Sequence, residues 1–362
     1  MAWLKPEGPF CDGVINVGTA DLPSWLIIGS ERALLVDANM VYLGDALLAN
    51  LARHLPAGRR LDGILLTHAH FDHVGGIPRL RRAYPDLVVF GSPAAAQVFG
   101  RNGARQLIRD LNREAGGCRG GSLPAPEDDF SSLFVDRPIG DGDVIGLGDD
   151  SIVALATPGH TRCSVTYLLS RRRMLFGGET FGIRLRSGTV CPEYLSSYED
   201  YQRSLQRCRA MAAGIVCLPH FGVLTEVEAG TYWHSATVDA EESAAIVASM
   251  LRVGYRRSEI VHLLKRKYYV EDLCSHQPER AFEFNAGHSI DLIAGLLSAG
   301  LLPAEVERRR GAVAAMLLNR GVGLIAGVDR SSSVDRTRSD TALSVMQRDE
   351  AKRRVGIPDR GR

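Results

Sequence analysis

Short, wholly aliphatic runs separated by turn residues dominate the chain from residue 14 to residue 222. Val14 to Val17, Trp25 to Ile28 and Ala33 to Val36 read as strands, and Gly29-Ser30 turns the last two into an antiparallel hairpin ending at Asp37. Gly44 to His54 places Leu47, Leu48 and Leu51 on one face of a helix, which Pro56-Ala57-Gly58 stops. Residues 61–67 form a further strand, Ile77 to Ala83 a helix and Leu87 to Phe90 a buried strand, after which Gly91-Ser92-Pro93 opens another helix. Arg101 to Glu114 predicts a basic helix. Its stripe of Arg101, Arg105, Arg109 and Arg113 at i, i+4 spacing is ordinarily a solvated face and less often a clamp for an anionic substrate tail. Glycine-rich residues from Gly116 to Asp129 read as a flexible connection. They lead to a strand over Ile152 to Ala156, a hairpin of Ser164 to Leu169 with Arg173 to Phe176, a helix over Ser197 to Met211 and a strand over Ile215 to Leu218.

Beyond residue 236 the pattern becomes helical: Ala240 to Leu251, Ser258 to Tyr268, Glu279 to Ser298 and Ala304 to Asn319. Each helix carries one apolar stripe, which one neighbour suffices to cover, so the group is expected to pack on the preceding domain as a cap. The division expected is a sandwich-forming domain of strands and helices over 1–235, a helical cap over 236–325 and a tail over 326–362. Ser331-Ser332-Ser333, alternating charges and few large apolar residues predict that the tail is disordered.

Four predicted strand ends carry chemistry. The run Ile64-Leu65-Leu66 stops in Thr67-His68-Ala69-His70-Phe71-Asp72-His73-Val74-Gly75-Gly76, so three of the ten histidines fall within residues 68–73. A histidine-rich surface turn is the bland alternative, but clustered imidazoles at a strand end have no evident structural use. The other ends are His160 in Thr157-Pro158-Gly159-His160-Thr161, Glu179 in Gly177-Gly178-Glu179-Thr180 and His220 in Pro219-His220-Phe221-Gly222. Taken alone, His160 or His220 reads as a structural histidine; beside a cluster that needs partners, both become ligand candidates. Imidazole with carboxylate suits zinc or iron, with manganese a further option, and two half-sites within six residues favour two divalent ions over one.

Composition narrows the partners. Lys plus Arg number 43 against 42 for Asp plus Glu, a net charge of +1, which provides no overall field to attract nucleic acid. Hydrophobic content of 45% and charged content of 23% are those of an ordinary globular protein. The N-terminus lacks a charged and then apolar leader pattern and no run reaches membrane-spanning length, which predicts a cytoplasmic protein that does not enter a membrane. Seven scattered cysteines without a C-x-x-C pair read as reduced thiols.

The pattern His68-x-His70-x-Asp72-His73, followed by His160, an acidic strand end and His220, resembles the metallo-β-lactamase-fold superfamily over residues 12 to 235. Within it, Leu66-Thr67-His68 to Gly76, the helix to Tyr84-Pro85, the Ala104 to Asn112 helix and the C-terminal helices are similar to the quinolone-signal thioesterase and, more distantly, to glyoxalase II. The resemblance implies an αββα sandwich with a dinuclear centre at one edge. In it His68, His70 and His160 bind the first metal, and Asp72, His73 and His220 the second. Two departures stand out: Glu179 occupies the position of a usual bridging aspartate, and Pro219-His220-Phe221-Gly222 replaces a usual Gly-His-Gly.

Two metals in this ligand field lower the pKa of a shared water and polarise a carbonyl, as hydrolysis near neutral pH requires. Asp72 is the expected catalytic residue, binding one metal and accepting the water's proton. A thiolate leaves readily because its conjugate acid has a pKa of about 8.5, which favours a small-molecule thioester or activated ester as substrate. On the cap, Asn285, His288 and Ser289 share a helical face and read either as outer polar surface or as substrate-pocket lining, with His276 just before them. His234 reads as structural. Competing functions are a phosphodiesterase, an iron-dependent redox enzyme favoured by the extra carboxylate, and a regulatory protein with a vestigial metal site; a homodimer is left open.

Overall fold

The computed structural model describes residues 7–118, 130–274 and 277–310. Its first sheet contains seven strands that follow chain order across the sheet: β1 (Gly8–Cys11), β2 (Val14–Asn16), β3 (Trp25–Ile28), β4 (Ala33–Val36), β5 (Gly63–Leu65), β6 (Val88–Gly91) and β7 (Arg137–Pro138). β1 to β4 form an antiparallel meander because short turns connect them. β4 to β7 are parallel because each connection crosses back through helices. These are α1 (Gly44–His54), then α2 (Phe71–Val74) with α3 (Ile77–Ala83), then α4 (Pro93–Phe99) with α5 (Asn102–Cys118).

The second sheet has the order β15-β14-β11-β10-β9-β8, built from β8 (Val144–Gly146), β9 (Ser151–Ala156), β10 (Val165–Leu169), β11 (Met174–Phe176), β14 (Ile215–Cys217) and β15 (Val223–Thr225). Between β11 and β14 lie a small two-stranded ribbon, β12 (Ile183–Arg184) with β13 (Val190–Cys191), and α6 (Tyr198–Ala210). Helices α7 (Glu226–Arg252), α8 (Arg257–Tyr268), α9 (Glu271–Cys274) and α10 (Glu279–Ser298) follow, and α10 packs on α7 and α8.

Alternation along β3, β4 and β5 explains the layers. Trp25, Ile27, Leu34, Val36 and Leu65 face the second sheet, meeting Ile152, Val165, Tyr167, Met174 and Phe176. Leu26, Leu35 and Ile64 point the other way, into Leu47 and Leu51 of α1, Ile77 and Leu80 of α3 and Ile108 of α5. Strands buried on both faces show no polar alternation, which is why these segments read as continuous aliphatic runs. α7 lies against β13, β14 and β15, so helices flank both sheets. The architecture is an αββα metallo-β-lactamase sandwich with helices at its C-terminal end.

The first C-terminal helix starts at Glu226, where the apolar pattern predicts residue 240, so one helix runs through residue 235. Its N-terminal half has no clean stripe and contains Gly230. Tertiary contacts hold it instead: the Tyr232 hydroxyl donates to the Phe181 carbonyl at 2.8 Å and the Trp233 ring meets Phe181 edge-on. A local signal does mark the start, since Glu228 accepts from the Thr225 backbone N–H at 3.0 Å, half of a capping box. β1, β7, β8, β12, β13 and β15 are too short to display a period of their own. Residues 116–118 belong to α5, whereas 119–129 of the expected connection, His276, the cap beyond 310 and the tail over 326–362 lie outside the described residues. Among the described residues no helix is long and apolar enough to cross a membrane.

The sheets are tied together beside the histidine motif. The fully buried Tyr167 hydroxyl of β10 donates to the Leu66 carbonyl at 2.7 Å, and Val165 N–H donates to the Thr67 carbonyl at 2.7 Å. Replacing Tyr167 by Phe strands a buried carbonyl, and the expected loss is about 1–3 kcal/mol in unfolding free energy by urea denaturation. An unchanged transition midpoint would show that this link carries no stability.

Candidate metal centre

Loops leaving the ends of β5, β9, β11 and β14 meet at one edge of the sandwich. After β5 the chain delivers His68 and His70 from extended backbone and then coils into the single turn α2, which carries Asp72 and His73. Gly76 follows because the backbone presses against the neighbouring loop: a Cβ there would lie 2.3 Å from the Ala38 carbonyl oxygen. His160 is aimed by the Pro158-Gly159 turn. Gly159 has φ +130°, and a Cβ would sit 2.2 Å from the Tyr201 nitrogen, so only glycine fits.

Six of the seven predicted ligands are buried or nearly so around a seventh, Glu179. His160 Nε2 lies 3.3 Å from His68 Nε2 and 3.1 Å from His70 Nδ1. On the other side, Glu179 Oε1 is 2.7 Å from His220 Nε2 and 3.0 Å from His73 Nε2. Its second oxygen, Oε2, is 3.2 Å from His68 Nε2 and 3.5 Å from His160 Nε2. Asp72 Oδ2 stands 3.7 Å from Nε2 of both His73 and His220. The site therefore consists of two donor groups, His68/His70/His160 and Asp72/His73/His220, with one Glu179 oxygen turned to each. Glu179 opens a short 3-10 turn, Glu179–Phe181.

Two further residues orient these rings. Asp37, at the end of β4 with φ +58°, accepts from Thr67 N–H at 2.8 Å and from the Thr67 hydroxyl at 2.7 Å, and its Oδ2 lies 2.7 Å from His73 Nδ1. The Glu193 carbonyl accepts from His160 Nδ1 at 2.7 Å. Each bond fixes which imidazole nitrogen faces the centre. Neither residue belongs to the predicted ligand set. Asp37 had a sequence signal, as a lone carboxylate closing a buried strand; Glu193 had none, because its role is made through its backbone.

Burial pushes His68 well below the ordinary histidine value and lowers His70, and it brings His160 to about 3. His288 on α10 is among the charges that act on His70. His73 moves the other way: burial alone would lower it, but the Glu179, Asp37 and Asp72 carboxylates outweigh that and hold it well above. Burial disfavours the Glu179 carboxylate, yet His73 and His68 keep it well below the usual range. Glu193, desolvated and facing Glu179, rises to about 8.

A divalent cation fits this donor set. Three neutral imidazoles turn ring nitrogens toward one point, where a cation relieves the lone-pair repulsion. Their 3.1 and 3.3 Å separations match the roughly 3.3 Å edge of a tetrahedron with metal–nitrogen bonds of about 2.0–2.1 Å. Glu179 Oε2 is buried there without a hydrogen-bond partner. The cap residues sit differently: Asn285 Nδ2 donates to Glu193 Oε2 at 3.0 Å and Ser289 Oγ to the Tyr194 carbonyl at 3.1 Å, so both face the interior but touch residues beside the centre. His234 is exposed on α7.

Fold and site together define a two-sheet sandwich whose candidate metal-binding groups cluster at the strand ends. Residues 22–220 match the sequence profile of the metallo-beta-lactamase superfamily, and the chain belongs to that superfamily. It is 26% identical over 200 residues to the atrochrysone carboxyl ACP thioesterase of Aspergillus fumigatus, covering 55% of this chain and 50% of that protein. With the acyl-coenzyme A thioesterase MBLAC2 of Gallus gallus it shares 32% over 196 residues, 51% of this chain and 65% of the relative. With a hydroxyacylglutathione hydrolase of Aliivibrio salmonicida it shares 29% over 158 residues, 43% and 45% respectively. The chain thus spans about half to two thirds of the length of these relatives. A metallo-beta-lactamase family protein from Thermus thermophilus has the same fold, with a TM-score of 0.54 at 19% identity, over 80% of this chain and 95% of that one.

Two outcomes follow. Asp37→Asn removes the charge behind His73 and is expected to weaken zinc binding about 10–100-fold in a chelator competition, with the fold retained by circular dichroism. Acid should destabilise the metal-free protein. His68, His70 and His160 titrate below 6.5 in the fold, so the unfolded chain takes up protons first; their contribution is full above 6.5 and is lost as pH falls, for His160 down to about 3. His73 has the opposite sign, its contribution being lost as pH rises through its elevated value. Glu193 acts with His73, since its value of about 8 lets the fold hold a proton that the unfolded chain has released; with His68, His70, His160 and His288 against these two, the melting temperature of the metal-stripped protein should drop between about pH 7 and about pH 5. A rise over that interval would contradict the assignment.

Proposed function

We propose that this protein is a dinuclear metal-dependent hydrolase of a small-molecule thioester or ester. The observation that carries the reading is the Glu179 carboxylate, with Oε1 turned to His73 and His220 and Oε2 turned to His68 and His160. One carboxylate presented to two donor groups suits two divalent ions side by side, zinc or iron, with manganese a further option. The first would be held by His68, His70 and His160 and the second by Asp72, His73 and His220.

A bound pair supplies a lowered water pKa and polarisation of a carbonyl. The chain's own residues supply the rest. His160 and His73 are locked by Glu193 and Asp37, so the donor groups are organised before anything binds. Asp72 is the more open carboxylate, with 14% of its side chain accessible against 6% for Glu179, and is the one placed to take a proton from water at the cleft. Glu179 stays in the interior and holds the two groups together. A thiolate departs without prior protonation, its conjugate acid having a pKa of about 8.5, so a thioester asks least of the surrounding side chains. Two of the relatives named above are thioesterases and a third is a hydroxyacylglutathione hydrolase, which supports the same choice.

Elemental analysis of purified protein, with an acyl-CoA hydrolysis panel on the same sample, tests this. About two metal ions per chain are expected, and chelation should abolish turnover. The double variant His70→Ala with Asp72→Ala should lower the rate by about a thousandfold or more while remaining folded. Fewer than about one ion per chain after metal-replete purification would sink the dinuclear reading. Full iron loading without hydrolysis would move the assignment to redox chemistry.

A further inference from the structure

The segment over residues 192–197 forms a strap across the turn that presents His160. Backbone N–H groups of Leu195, Ser196 and Ser197 all donate to the Gly159 carbonyl, at 3.1, 3.0 and 3.3 Å, and the Ser196 hydroxyl adds a fourth bond at 3.1 Å. Leu195 N–H also reaches the His160 carbonyl at 3.3 Å, while the Glu193 carbonyl accepts a hydrogen bond from His160 Nδ1. The orientation of the His160 ring is therefore set by where this strap lies.

The strap is in turn held by the cap. Asn285 and Ser289 stand one turn apart on α10 and share a face; one grips the Glu193 carboxylate and the other the Tyr194 carbonyl. Glu193 is 3% and Ser289 7% exposed, so a group left without its partner there is largely shielded from solvent. Three bonds, Asn285 to Glu193, Ser289 to Tyr194 and Glu193 to His160, lead from α10 through residues 193 and 194 to the imidazole of one donor group.

We infer that docking of α10 and occupancy of the His68/His70/His160 group are coupled through residues 192–197, with Asn285 and Ser289 acting as positioning residues. The inference rests on the metal-centre reading given above. An imidazole binds a cation well only in one ring orientation, and disturbing the group behind it typically costs 10–100-fold in affinity. Coupling between two equilibria is reciprocal: if a docked cap tightens the cation, a bound cation must tighten the cap by the same factor. The helix beside the cleft and the loaded centre would then form together, and a cap over an unloaded centre would be looser.

The test is zinc titration of the whole chain against a chromophoric chelator. The wild-type chain should show two affinities; Asn285→Ala with Ser289→Ala should weaken one by about tenfold and leave the other unchanged. Glu193→Gln, which keeps an acceptor for Asn285, should behave as wild type at both. Two unchanged affinities in the double variant would overturn the coupling. Should that variant not fold, amide hydrogen exchange of the wild-type chain decides instead: zinc should slow exchange across Glu279–Ser298, and exchange that ignores zinc overturns the proposal. A wild-type chain that binds no zinc or other divalent ion would refute the metal-centre reading itself, a result distinct from intact binding without coupling.

Discussion

A single buried carboxylate organises this protein. Glu179 lies among four imidazoles, two to each oxygen, in an interior that penalises an isolated charge by several kcal/mol. Its ionisation is favoured by His73 and His68, and it favours the protonated form of His73 in turn, whereas burial keeps His68 neutral. Two sheets must bring four strand ends to one edge to make this cluster. The inter-sheet bonds from Tyr167 and Val165 to Leu66 and Thr67 keep those ends in register.

Around the carboxylate the supports are graded. Asp37 and Glu193 fix ring orientation from behind, and the former sits in a left-handed backbone conformation that a single residue adopts at a cost of about 1–3 kcal/mol. Phe221, beside His220, has φ +60° as well, so strained backbone flanks the centre on two sides. The αββα sandwich tolerates this because its two apolar layers, one between the sheets and one under α1, α3 and α5, extend well beyond the site, with only Ala69, Phe71 and Val74 of the second lying among the ligands. Stability comes from the layers, and the edge is free to carry charge and strain.

Much of the site was legible in the chain. A strand buried on both faces reads as an aliphatic run, and a polar residue that interrupts its end stands out; His68, His70, Asp72, His73, His160, Glu179 and His220 all announce themselves in that way. The departure at Glu179 was legible too, as a longer side chain at a position where the family ordinarily has aspartate. What the residues could not convey was where its second oxygen points. Pairing among short strands was hidden for a related reason: two or three residues carry no period, and their partners are chosen by the sheet that receives them. The early start of α7 was hidden because Tyr232 and Trp233 are held by Phe181, which lies 51 residues away from Tyr232 in sequence.

The sequence by itself determined the layered fold class and marked the side chains that gather at the candidate centre, because each is written in local patterning: which runs are buried, and which side chains interrupt them. Only the tertiary structure decided where each Glu179 oxygen points, and that Asn285 and Ser289 grip residues 193 and 194. Those properties depend on distances between segments far apart in the chain, such as the 92 residues separating Asn285 from Glu193, and no local pattern encodes them. Burial then converts those distances into chemistry, since the same imidazoles and carboxylates in water would keep their ordinary protonation and no shared preference for a cation.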